Sequence, residues 1–142
     1  MTKKAQGRIL IVEDEAALRD LFRESLEEWE SCPLTLVIDE AADGFEGLAK
    51  LHTHVYDLVI TDMQMPKLDG KQMIEAMRNQ EGPNKNSPCL IISGNPQYYE
   101  SELDKPQYGQ VLALDKPVEI ERLIRNCRIL LVNKIRESFA AA

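Results

Sequence analysis

Five short apolar runs, each followed by acids, a turn or a helical pattern, limit this chain more than any other feature. Residues 8–12 (RILIV), 34–39, 58–61, 89–93 and 110–114 have the length and branching of buried strands. Between the runs the apolar period changes from that of strands to that of helices. In the first helix Leu18, Leu21, Phe22, Ser25, Leu26 and Trp29 share a face, and Asp20, Glu24, Glu27 and Glu28 face outward. The second helix opens at Asp43-Gly44 and carries Phe45, Leu48 and Leu51. The third follows Pro66 and Asp69-Gly70 and carries Met73, Ile74 and Met77. Two prolines and the pair Tyr98-Tyr99 restrict any helix within 95–108 to a short one. Pro117 opens a long last helix from about residue 118, with Ile120, Leu123, Ile124, Cys127, Leu131 and Ile135 on its main face and Ile129, Val132 and Phe139 off it. Repeated βα units with continuous apolar strands predict an α/β fold, a doubly wound five-stranded parallel sheet with helices on both faces. Right-handed crossovers leave few topologies, the flavodoxin-like order 2-1-3-4-5 among them.

Organisation follows from that reading. Residues 1–7 are expected as a flexible tail, 8–137 as one domain and 138–142 as a tail; a chain of 142 residues suits a single core. The net charge of −7 opposes direct nucleic-acid binding. The apolar runs are too short to span a membrane, and the polar start lacks a signal-peptide core, so a cytoplasmic setting is expected. Cys32, Cys89 and Cys127 lack metal-ligand spacing, and Cys89 and Cys127 read as buried free thiols.

In open parallel sheets the chemistry gathers at the carboxyl ends of the strands. There the first strand carries Glu13-Asp14-Glu15, the third Asp62, the fourth Ser93 and the fifth Lys116. Strands one and three are neighbours in the expected order, which puts Glu13, Asp14 and Asp62 within reach of one another. Three clustered carboxylates need a positive partner, and a hard cation such as Mg²⁺ suits them. Lys116 adds an ammonium and Ser93 a hydroxyl. Together these are the parts for accepting a phosphoryl group on an aspartate. Each also has a structural reading: the acids after strand one could cap a helix, Asp62 could serve a turn, Ser93 could be structural and Lys116 an ordinary surface lysine. Asp69-Gly70 reads as a turn and helix start.

The motifs RILIVEDE, DLVITDMQMPKLDG, LIISGN and LALDKPV, in this order, resemble the receiver domain of two-component response regulators, and the likeness runs from about Arg8 to the last helix. The resemblance implies that Asp62 is the phosphoacceptor. It implies that Asp14, Asp62 and the main-chain carbonyl of Gln64 bind Mg²⁺, with Glu13 acting largely through a water. Ser93 would be the switch hydroxyl and Lys116 the partner of the phosphoryl group. Gly94 suits the small residue expected beside the site, Gln64 and Asn95 hold positions that tune hydrolysis, and Lys116-Pro117 is expected as a cis peptide. One position departs from the pattern: three residues before the lysine, where a Tyr or Phe is usual, the chain has Ala113.

The resemblance further implies a signalling domain rather than an enzyme, one that assists its own phosphorylation and dephosphorylation. Its partners would be a sensor histidine kinase or histidine phosphotransfer protein and an output protein. A homodimer through the last helix is a further expectation. The 26 residues after Lys116 leave no room for an output domain, which fits a stand-alone protein or part of a larger regulator or hybrid kinase. Two rivals remain. A phosphorylation-independent pseudo-receiver is supported by Ala113. An aspartate-nucleophile phosphatase of the haloacid-dehalogenase kind wants a second carboxylate where the chain has Gln64.

Overall fold

Parallel pairing organises the chain in a computed structural model that describes residues 4–79, 81–95, 103 and 105–140. The strands are β1 (Gln6–Val12), β2 (Thr35–Ala41), β3 (Leu58–Asp62), β4 (Cys89–Ser93) and β5 (Val111–Asp115). They form one sheet in the order β2-β1-β3-β4-β5, every pair parallel. This is the doubly wound order expected from the sequence.

Strand alternation sorts the side chains into two cores. Ile9, Ile11, Leu58, Ile60, Leu90, Ile92 and Leu114 face one side, under helices α1 (Ala16–Glu27) and α4 (Ile120–Leu130). Leu10, Val12, Val59, Cys89, Ile91 and Val111 face the other, under α2 (Gly44–Thr53) and α3 (Gly70–Asn79). All three cysteines are buried and free. No helix among the described residues is long and apolar enough to cross a membrane.

The second and third helices start where the sequence places them, whereas the last opens at Ile120 with Glu119 as its N-cap, leaving Pro117 in the preceding turn rather than in the first helical turn. Asp43 accepts from the Glu46 N–H while Glu46 accepts from the Ala42 N–H, and Asp69 and Gln72 exchange the equivalent pair of bonds at the start of α3. Three residues assigned to buried helix faces stand out in solvent instead: Leu21 (40% exposed), Phe45 (57%) and Ile120 (38%). Each lies at the margin of its apolar stripe, beyond the reach of the sheet. Leu130 is buried in the place the pattern did not mark. The long last helix is two, α4 and α5 (Val132–Ala140), because Leu131 leaves helical geometry at ψ 4°. The first strand begins at Gln6, inside the stretch expected as a tail. The short helix expected within 95–108 falls largely outside the described residues; of that stretch Leu103 is buried, and Pro106–Tyr108 forms one 3-10 turn.

The amino end of the sheet is closed by Asn84. Its Oδ1 accepts from the Tyr56 N–H and the Ser87 hydroxyl, and its Nδ2 donates to the carbonyls of Leu51 and His54. One buried amide thus joins the end of α2 to the starts of β3 and β4.

Candidate functional site at the carboxyl end of the sheet

Register alone brings the candidate residues together. Val12 pairs with Thr61, so Glu13 and Asp62 leave adjacent strands side by side. Asp62 pairs with Ile92, one residue before Ser93, and Ser93 pairs with Asp115, one residue before Lys116. The loops hold this alignment, since Met63 N donates to Ile92 O at 2.9 Å and Lys116 N to Ser93 O at 2.9 Å.

Carboxylate oxygens of Glu13, Asp14 and Asp62 lie within 4.8 Å of one another. Asp14 is exposed, whereas Asp62 is 4% and Glu13 1% exposed. Asp62 Oδ2 accepts from Lys116 Nζ at 3.1 Å, and Oδ1 accepts from the Gln64 N–H at 3.2 Å. Burial alone would lower the proton affinity of Lys116, but its bond to Asp62 and the carboxylates around it win, and its pKa is raised. Lys116-Pro117 is cis. Ser93 is buried, its Oγ accepting from the Asn95 N–H at 3.0 Å and lying 3.1 Å from the Asn95 carbonyl. Gln64 and Gly94 are exposed, and a Cβ added at Gly94 meets nothing within 4 Å. Ala113 is half-buried in β5, opposite Ile91.

Glu13 is not a helix cap. Its Oε1 accepts from the Glu15 N–H at 3.1 Å, and Glu15, at the head of α1, makes no side-chain capping bond. Its Oε2 is buried without a hydrogen-bond partner, alone in this among the side-chain atoms of the described residues. Burial first, then the charge of Asp62, pushes the Glu13 carboxyl up to about 7. Three clustered carboxylates, one of them with a buried, unpartnered oxygen, fit a hard divalent cation.

Two residues that sequence reasoning assigned no part in the site also shape it. Gly70 packs so closely that an added Cβ would lie 2.5 Å from the Asp62 carbonyl oxygen. Arg19 reaches back from α1 to the Glu13 carbonyl at 2.7 Å. A turn glycine was visible in the sequence; its contact with a strand end was not. Beside the carboxylates, Met63, Gln64, Met65, Pro66, Asp69, Ser93 and Asn95 line a cavity of about 450 Å³.

Known proteins share this arrangement of strands. The family model of the response regulator receiver domain matches residues 9–128. The response regulator ArlR of Staphylococcus aureus is 32% identical over 124 residues, covering 87% of this chain and 52% of that protein. The chain therefore spans about half the length of the curated relatives it matches. The receiver domain of the Francisella response regulator 1452 superposes with a TM-score of 0.75 at 27% identity, over 90% of this chain and 98% of that one. The chemotaxis response regulator CheY4 of Vibrio cholerae gives 0.75 at 26% identity, over 89% and 100%. With its sheet order and a family match over most of its length, the chain belongs to the receiver domains of two-component response regulators.

Proposed function

We propose that Asp62 accepts a phosphoryl group from a phosphohistidine on a sensor histidine kinase or a histidine phosphotransfer protein. The observation that carries the reading is the environment of its carboxylate: 4% exposed, 3.1 Å from Lys116, and clustered with Glu13 and Asp14. As a phosphorus–oxygen bond forms to Asp62, the phosphorus–nitrogen bond of the donor breaks and its imidazole leaves with a proton. In this reading Asp14, Asp62 and the Gln64 main-chain carbonyl would hold Mg²⁺, with Glu13 acting through a water, and the cation would offset the charge of the carboxylates and the phosphoryl oxygens. Lys116 turns from Asp62 to the phosphoryl group, and Ser93 donates its hydroxyl to a phosphoryl oxygen.

The chain would thus be a cytoplasmic signalling domain that assists its own phosphorylation and dephosphorylation, and phosphorylation would switch its binding to an output protein. Among the described residues, the exposed Ile120, Ile129 and Phe139 are the large apolar groups of the last helices available to a second copy. The proposed organisation is one receiver domain, with bounds wider than the 8–137 expected, since β1 starts at Gln6 and the last helix runs to Ala140. Ala113 favours a second reading, a pseudo-receiver that binds its partner without phosphorylation. Incubation with a small acyl phosphate, with and without Mg²⁺, read by intact mass, separates the two. The wild type is expected to gain one phosphoryl group only with Mg²⁺, and Asp62→Asn none. Equal labelling of Asp62→Asn would refute the assignment, and no labelling of the wild type would favour the pseudo-receiver.

A further inference from the structure

Glu13 is held at three points. Its N–H donates to the Ala41 carbonyl at 3.0 Å, its Oε1 accepts from the Glu15 N–H at 3.1 Å, and its carbonyl accepts from Arg19 Nη1 at 2.7 Å. Only Oε2 is left over, buried and unpartnered. Two of the ties are local to the backbone or continue the β1–β2 pairing. The third comes from a half-buried side chain one turn into α1, whose own N–H makes that helix's first bond, to the Glu15 carbonyl at 3.0 Å. Arg19 therefore bridges both ends of the turn that carries the acidic pair.

We propose that Arg19 is a positioning residue for the phosphoacceptor site, fixing the β1–α1 turn so that Glu13 and Asp14 are presented together to the cation and to Asp62. The metal part of this inference rests on the Mg²⁺ reading given above; the positioning of the turn does not. Arg19 also brings a positive charge to the edge of the site, and this makes the inference decidable. A neighbouring cation acting through charge alone repels Mg²⁺, so removing it would tighten binding. A residue that holds donors in place loosens binding when it is lost, typically by 10-fold or more. The two roles have opposite signs.

The experiment is calorimetric titration of the whole chain with Mg²⁺ as wild type, Arg19→Ala and Arg19→Gln, paired with amide exchange of the metal-free proteins. Arg19→Ala is expected to weaken Mg²⁺ binding roughly 10-fold. Arg19→Gln, neutral but still a donor, is expected to recover part of that loss. In the metal-free Arg19→Ala protein the Glu15 amide should exchange at least about tenfold faster relative to the amides of Ile11 and Ile60, a readout that general loss of stability would not move. Mg²⁺ binding by Arg19→Ala as tight as or tighter than wild type would overturn the role at the metal. Unchanged relative exchange at Glu15 would overturn positioning of the turn. Should the wild type take up no Mg²⁺ while Glu15 exchange accelerates in the variant, the metal reading falls and the positioning of the turn stands.

Discussion

Replacing Glu13 by glutamine keeps the shape of a side chain that is 1% exposed and removes its charge. In the metal-free fold that carboxyl holds its proton up to about pH 7 against an ordinary value of 4.5, through burial and then the charge of Asp62. Below pH 4.5 it is protonated whether the chain is folded or not, and contributes no pH dependence. Between there and pH 7 the unfolded chain has given up the proton and the folded chain has kept it. Stability from this group therefore falls as the pH rises, until the penalty is complete above pH 7. At 1.36 kcal/mol for each tenfold change in proton affinity, the loss is on the order of 3 kcal/mol. Glu13→Gln avoids it. Melting both proteins in chelator from pH 4.5 to 8.5 should show curves that nearly coincide in acid and separate by roughly 10 °C at the alkaline end, with the variant more stable. Saturating Mg²⁺ should then raise the wild type more than the variant, because only the wild type offers the carboxylate to the cation. A separation independent of pH, or a less stable variant at pH 8, would show that the buried charge is not the cost assigned to it.

Lys116→Ala should leave Mg²⁺ binding largely intact but blunt the conformational response to phosphorylation, since the lysine is needed where new negative charge appears; a loss of metal affinity by orders of magnitude would contradict this. Gly70→Ala should cost about 2 kcal/mol or more in denaturant unfolding, because its Cβ would sit 2.5 Å from the Asp62 carbonyl oxygen; a neutral result would mean the loop yields freely. With no ring at Ala113 to rotate, beryllofluoride should change amide protection between Ser93 and Tyr108 through backbone movement, a shift for which a coupling of about 1–3 kcal/mol suffices. Bound beryllofluoride without protection changes there would sink that route.

The parts of this molecule that reading the chain captures depend on local pattern. Strand alternation marks which residues of β1, β3, β4 and β5 are apolar, and parallel order then determines which strand ends meet. That is why Glu13, Asp14, Asp62, Ser93 and Lys116 could be grouped although they span most of the chain. Helix faces are less secure, because a 3.6-residue period says which side is apolar and not how wide a strip the sheet covers. Leu21, Phe45 and Ile120 sit at those margins and emerge into solvent. The bend at Leu131 has no glycine or proline to announce it. The contacts made by Arg19, Asn84 and Gly70 are hidden from the sequence for a different reason. Each acts on main-chain atoms from another part of the fold, and a carbonyl bears no residue-specific signature.

The Asn84 network gives the sheet the mechanics of a cantilever. Bonds from this one buried amide fix the chain near the start of β3, whereas Asp62 stands at that strand's far end. Six residue steps at about 3.3 Å each put that far end up to about 20 Å from the clamped Tyr56. A tilt of about 3° there displaces the tip by about 1 Å and the base by almost nothing. Motion on that scale is enough to exchange one hydrogen-bond partner for another at the rim while the floor stays still. Substitutions at Asn84 would accordingly alter the stiffness of the beam and leave the chemistry at its tip unchanged in kind.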